Sequence, residues 1–228
     1  MLRPLSSILV DSFKQARKIN PQSAPFSYFY CARNAAEQQR AEPDEVMRSI
    51  VKQLSCSSPD RTVWQPVIDT YNERKEQAEE EGGEPARLSM QDCVNLILTF
   101  AERNPITIII DALDECDPAK RHELLTALGT LVRDSSDLVK IFVSSRDDND
   151  IVCRLSDSSN IYIHARDNGE DIERFVKTKV AQSIRLKRLL DGKVPDYLKD
   201  QIVNALIQGA QGMYVYVSSM AIRHADVA

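Results

Sequence analysis

Four acids fall within seven positions at Asp111, Asp114, Glu115 and Asp117. They follow Ile106-Thr-Ile-Ile-Ile110, an apolar run broken only by Thr107. A run so rich in β-branched residues reads as a strand buried on both faces of a parallel sheet. Such a strand delivers Asp111 at its C-terminal end, where open α/β sheets bind ligands. A carboxylate in that place suits Mg²⁺ held through water, because Mg²⁺ keeps several waters and takes one or two carboxylates. A second acid just beyond can orient or deprotonate a water that attacks a terminal phosphate. Asp114 and Glu115 are spaced for that work. The competing reading is that Asp114, Glu115 and Asp117 solvate a turn and cap the next helix. It is the better account of Asp117, whereas the strand context favours chemistry for Asp111, Asp114 and Glu115.

A second run, Val139-Lys-Ile-Phe-Val143, ends in Ser144, Ser145 and Arg146. An arginine at a strand end can reach a phosphate with its planar fork of donors. It can equally pair with a neighbouring carboxylate such as Asp147 or Asp148, and the residues alone leave both readings open.

The elements that must position these groups alternate in kind. Phe26 to Cys31 and, more weakly, Asn160 to His164 add strand-like runs. A first helix, entered through Pro4, carries Leu5, Ile8, Leu9 and Phe13. Val46, Ile50, Val51 and Leu54 share one helical face just after Pro43, a first-turn proline. Val63, Trp64, Val67, Ile68 and Tyr71 form another stripe. Ser89 with Asp92 three residues on is a capping-box signature ahead of Val94, Ile97, Leu98 and Ala101. A further helix is expected from Asp117-Pro118, using Leu124, Leu125, Leu128, Leu131 and Val132. Glu73 to Pro85 is charged, then glycine-rich, and reads as a frayed helix end and a mobile surface loop. Asp147 to Asp150 reads as the cap of a helix near Ile151. After about Asp167 the pattern turns helical, around Ile172 to Val180, Asp196 to Ile207 and Gly212 to Ile222. Strands alternating with helices define an α/β domain with crossover connections, here residues 1–166, followed by a helical subdomain over 167–228.

The 228 residues suffice for one sizeable domain and an appendage. Apolar residues make up 43% and charged residues 28%, near ordinary globular values, which excludes wholesale disorder. A net charge of -5 argues against a basic nucleic-acid-binding surface. The five cysteines are odd in number, widely spaced and form no Cys-x-x-Cys pair. That speaks against a disulfide framework or a zinc ribbon and fits a reducing compartment. No run approaches 18 apolar residues, and Met1 to Val10 is too short for a secretory signal. A cytoplasmic protein without a membrane span is the expectation.

With these residues in view, the stretch from Ile106 to Cys116 resembles the extended Walker B motif of NACHT-type signal-transduction NTPases of the STAND class. Val139 to Arg146 resembles the sensor strand of the same family. Asp171 to Val176 and Gly212 to Tyr214 resemble its helical segments. The nearest likeness is to fungal NACHT proteins with a nephrocystin-like N-terminal NTPase domain, often joined to ankyrin or other repeats. The resemblance implies a P-loop NTPase-like parallel sheet with flanking helices. It implies a molecular switch driven by ATP or GTP with Mg²⁺. By it, Asp111 is the Mg²⁺-linked acid, Asp114 and Glu115 position the attacking water, Arg146 contacts the terminal phosphate, and Ser145 joins it in binding the nucleotide. His164 receives no role.

No Gly-x-x-x-x-Gly-Lys-(Ser/Thr) stretch occurs in the sequence, and the only Gly-Lys pair, Gly192-Lys193, is followed by Val194. In the family the phosphate-binding loop precedes the first helix, so the chain is expected to start just after it. A P-loop supplies backbone donors, a lysine and a hydroxyl for Mg²⁺. Without them the acids repel a nucleotide, and the chain as written is expected to bind ATP or GTP weakly and not to hydrolyse it. The family's P-loop strand lies between the sensor strand and the last strand, and its loss removes about 8–15 kcal/mol of burial. The edge of Val139 to Val143 is then expected to stay open or to pair with Asn160 to His164. The leading reading is a fragment of a NACHT-type switch. The alternative is a non-catalytic scaffold module that assembles with itself or with intact relatives. A carboxylate-metal hydrolase built on Asp111, Asp114 and Glu115 lacks a second ligand cluster, and a Cys116–His122 nucleophile pair lacks an orienting group.

Overall fold

The computed structural model describes residues 5–56, 62–162 and 169–210, which fall into two compact units divided between Ser158 and Ser159. The first unit runs α1 (Leu5–Ile19), β1 (Phe26–Tyr30), α2 (Pro43–Ser55), α3 (Gln65–Glu81), α4 (Met90–Ala101), β2 (Ile106–Asp111), α5 (Arg121–Asp134), β3 (Val139–Val143) and α6 (Asn149–Arg154). The three strands form one parallel sheet in the order β1-β2-β3. The crossovers are helical, as parallel strands require. Register sets Tyr30 beside Asp111 and Ile110 beside Val143.

Strand alternation divides the core. Ile106, Ile108 and Ile110 point into a large cluster with Val46, Ile50 and Leu54 of α2, Ile97 of α4, and Leu124 and Leu131 of α5. Ile109 points the other way, where it is buried with Val10 of α1 and Phe26. Leu9, Phe13, Tyr28, Tyr30 and Phe142 pack against that trio, and Phe13 stacks on Phe26 at 5.2 Å. The four isoleucines are at most 1% exposed. At about 1.5–3 kcal/mol each they contribute about 6–12 kcal/mol, the anchor of the sheet. On α1 it is Ser6 and Val10 that are buried, while Ile8 is half exposed, so the inward face sits one step round from the expected stripe.

The two sheet edges differ. On β1 the Gln53 amide accepts from the Tyr28 N–H at 3.1 Å and donates to its carbonyl at 2.8 Å. Arg40 Nε donates to the Tyr30 carbonyl at 2.9 Å, and the Ala32 N–H donates to the Arg40 carbonyl at 3.2 Å. Side chains thus satisfy an edge that would otherwise offer bare backbone groups. On β3 the Leu138 carbonyl and the Ser144 N–H bond to β2, which leaves the amides of Ile141 and Val143 facing outward. Among the described residues β3 pairs with β2 alone. Asn160 to Tyr162 form no strand, and the rest of that expected strand, with His164, lies outside the described residues.

Helix boundaries follow local chemistry with three corrections. The capping box is present, with Asp92 N–H donating to Ser89 Oγ at 3.2 Å and Ser89 N–H to Asp92 Oδ2 at 2.7 Å. Glu73 to Glu81 is not frayed: α3 continues to Glu81 and stops at Gly82, which takes φ 71°. Arg74 explains the order. It donates to the carbonyls of Ala86 and Arg87 at 2.9 and 2.7 Å and to Asp92 at 2.5 Å, tying the following segment to α4. Trp64 precedes α3 instead of joining its stripe, and stacks on Phe100 at 3.9 Å. The helix expected from Asp117 begins at Arg121, because Asp117 closes a turn by accepting from the Ala119 N–H at 3.0 Å.

The second unit holds α7 (Gly169–Arg185) and α8 (Asp196–Ala210). Ile172, Val176 and Val180 are buried with Val203, at the spacing one helical face requires. Gly212 to Ile222 lies outside the described residues.

Candidate functional site

Asp111 closes β2, and Ala112 follows at φ 54°, ψ 50°. A non-glycine residue there costs about 1–2 kcal/mol. The bend turns the chain sharply enough for Leu113–Glu115 to form a single 3-10 turn directly over the strand tip. The extension of β3 laces this tip: Ser144 N–H donates to the Ile110 carbonyl and Leu113 N–H to the Ser144 carbonyl, both at 2.9 Å. The Ser144 hydroxyl donates to Asp111 Oδ1 and accepts from the Ala112 N–H at 3.1 Å. Ser145 has its hydroxyl on the carbonyl of Arg146 at 2.7 Å. The difference follows from the pleat. Ile110 lies beside Val143, so Asp111 and Ser144 are the next neighbours on one face, and Ser145 points to the other.

Arg146 bridges the two water-positioning candidates. Its N–H and Nε lie 3.2 and 3.3 Å from the Asp114 carboxylate, and its Nη2 lies 3.6 Å from Glu115 Oε1. The Asp114 side chain is 9% exposed, that of Arg146 80%. Asp111, Asp114, Glu115 and Arg146 therefore meet at the C-terminal tips of β2 and β3. Arg146 pairs with these acids and not with Asp147 or Asp148, the partners its neighbourhood in sequence suggested. An arginine so exposed is held weakly, since a solvated pair is worth about 0–1 kcal/mol.

Two further arginines pin the turn from behind. Arg33 Nη2 donates to the carbonyls of Asp114 and Cys116 at 2.8 and 2.9 Å, and its N–H reaches Glu115 Oε2 at 3.3 Å. Arg121 is 2% exposed; it donates to the Asp114 carbonyl at 3.0 Å, to Asp150 at 2.6 and 2.9 Å, and to Asp148 at 3.0 Å. Its guanidinium holds the Asp150 carboxyl below the ordinary aspartate range. Asp148 does precede α6, as expected, but its carboxylate serves Arg121 and makes no cap bond. Cys116 and His122 do not meet as a nucleophile pair: Cys116 donates to the Ala41 carbonyl at 3.2 Å, and His122 Nδ1 lies 3.1 Å from the Ala119 carbonyl.

Sequence reasoning missed Ser144, Arg33 and Arg121. Ser144 was within reach, because aligning the ends of the two apolar runs puts it beside Asp111. The arginines carry no spacing signal, since each acts across the fold. Among the described residues no group of three or more His, Cys, Asp or Glu is arranged to hold a metal ion. The donor set at the tip is one carboxylate, Asp111, with the Ser144 hydroxyl beside it. That set fits Mg²⁺, which keeps most of its waters, and does not fit a cation that demands a protein cage.

A central parallel strand with acids at its tip, beside a strand ending in Ser-Ser-Arg, makes this an α/β domain that gathers its polar groups at the C-terminal edge of a parallel sheet. Residues 4–146 match the family described as Nephrocystin 3, N-terminal, and the chain belongs to that family. No curated protein matches the chain. Among solved structures, a Walker-type ATPase of Pyrococcus abyssi is similar at 14% identity and a TM-score of 0.41, over 96% of this chain and 62% of that one. This chain thus spans under two thirds of that protein's length. Among the described residues no helix is long and apolar enough to cross a membrane.

Proposed function

We propose that the tips of β2 and β3 form the metal-and-water half of a nucleoside-triphosphate pocket in a NACHT-type, STAND-class switch. The observation that supports this reading is that Asp111, held by Ser144, and Asp114 and Glu115, bridged by Arg146, all stand at the neighbouring tips of β2 and β3, in a chain of the nephrocystin-like family. Asp111 holds Mg²⁺ through water, steadied by Ser144. When bound, Mg²⁺ supplies positive charge to the phosphate oxygens. Asp114 and Glu115 orient the attacking water, and Arg146 leaves them to meet the terminal phosphate, with Ser145 at its side. Residues 1–166 act as the nucleotide-linked core and 167–228 as the start of a helical subdomain in a cytoplasmic signalling protein that assembles with copies of itself or with relatives.

The sequence holds no P-loop motif, so these residues by themselves bind ATP or GTP weakly. Calorimetric titration of the 228-residue chain with Mg²⁺·ATP and Mg²⁺·GTP tests this, with dissociation constants of about 1 mM or weaker expected. Micromolar affinity would overturn it. A second reading, a non-catalytic scaffold, draws on Arg146 occupying both acids. Supplying a family P-loop strand and loop ahead of residue 4 separates the two. Hydrolysis that is lost in Glu115→Gln supports the switch; its failure to appear in a folded, nucleotide-binding chimera supports the scaffold.

A further inference from the structure

The connection between α7 and α8 is strained, basic and tipped with leucine. α7 closes on a left-handed residue. Lys187 takes φ 56°, its N–H donates to the Ile184 carbonyl at 3.0 Å, and the Arg188 N–H donates to the Ser183 carbonyl at 2.9 Å. Glycine is the usual occupant of that place in a helix end. A tight turn follows. Leu190 and Asp191 stand at φ 45° and 52°, and the Gly192 N–H donates back to the Leu189 carbonyl at 2.9 Å. Turns of this hand favour glycine, asparagine and aspartate at their centre, and a leucine there is sterically costly. Gly192, at φ 79°, brings the turn against the end of α7: a Cβ on it would sit 3.0 Å from the Ile184 carbonyl oxygen and 3.3 Å from Cγ of Lys187. Ile184 and Leu189 pack on the core of the second unit, which anchors the connection from within.

Its outer surface combines two chemistries. Leu186 and Leu190 are 46% and 56% exposed. Arg185, Lys187, Arg188 and Lys193 around them are exposed too. Among the described residues none of these four cations forms a salt bridge. From Arg185 to Lys193 four cations stand against one acid, Asp191, a local charge of +3 in a chain whose net charge is -5. A cation at a helix C-terminus answers the helix dipole, which accounts for Arg185 but not for the three beyond it.

We propose that this connection docks on the surface of an anionic phospholipid bilayer. Leu186 and Leu190 enter the boundary between headgroups and acyl chains, and the four cations meet the lipid phosphates and carboxylates. Charge complementarity selects an anionic partner, as the cytoplasmic leaflet is. The leucines select one with an apolar layer beneath its charge. A nucleic acid would use the cations and leave both leucines in water, whereas a bilayer engages both sets at once. The backbone points the same way. Leu190 gains little burial from the fold, yet it is held outward at a position where glycine would be less strained.

The test is flotation of the full 228-residue chain with vesicles at physiological salt. One set is pure phosphatidylcholine, and the other holds two parts phosphatidylcholine to one part phosphatidylserine. The chain is expected to float with the second set and not with the first. Reversing charge in Lys187→Glu with Arg188→Glu is expected to weaken that partitioning by at least about tenfold. Leu190→Asn suits the turn and keeps every cation, and is expected to weaken it about fivefold with no loss of melting temperature. Three results would overturn the proposal. One is no flotation with the anionic vesicles. Another is full flotation after charge reversal, which would place the contact elsewhere. The third is Leu190→Asn floating like the parent, which would leave a purely electrostatic surface suited to an acidic protein or a nucleic acid. Should the charge-reversed variant fail to fold, Leu190→Asn still decides.

Discussion

Arg121 is the most deeply enclosed cation described in the chain, and its partners show why it is tolerated there. Asp148 and Asp150 each keep close to half their side-chain surface in solvent, so the burial cost falls chiefly on the arginine. Replacing it with alanine removes bonds to both acids and to the Asp114 carbonyl. Arg121→Ala is expected to lose about 2 kcal/mol of stability, read from the shift of a urea unfolding midpoint. The same contact sets an acid dependence. The folded pKa of Asp150 lies below its unfolded value, so its stabilisation is complete above about pH 4 and fades as pH falls through the folded value. Melting temperatures of Asp150→Asn should therefore fall less between pH 5 and pH 3 than those of the parent. At this scale the sequence was half legible. Asp111, Asp114, Glu115 and Arg146 stand out because strand ends concentrate chemistry and two runs mark those ends. Arg33 and Arg121 were invisible because their use is decided by folding over distances of about eighty and thirty residues.

The capping box before α4 and the proline opening α2 were readable because each is settled within four residues. The end of α3 was not, because Arg74 reaches across to Ala86, Arg87 and Asp92 to hold the acidic stretch that composition alone assigns to a loop. Arg74→Ala should lower the protection of amide protons in Glu76 to Glu81, measured by hydrogen exchange, with little change in β2. The Gln53 amide supplies β1 with both halves of a missing neighbour. Gln53→Ala is expected to cost about 1–2 kcal/mol for the two backbone bonds it makes at Tyr28. If the thermal melt of that variant overlays the parent, the amide is not what closes this edge.

Each unit owns a core. Ile106 to Ile110 with α2, α4 and α5 make one, and α7 with α8 make the other. A chain ended at Ser158 is therefore expected to unfold cooperatively, as a single calorimetric transition. The class of fold was evident in the rhythm of strands and helices, whereas the number of strands among the described residues was not. Asn160 to Tyr162 has the composition of a strand, but pairing depends on where the chain is carried, which short-range pattern does not encode. The two borders of the sheet have unequal futures. The β1 border is sealed by Gln53 and Arg40, so the sheet can widen in one direction only, past Val143. Whichever chain supplies the next strand, a parallel addition would set its C-terminal tip alongside Ser144 and Arg146, so that widening the sheet and furnishing the strand-tip site would be one event.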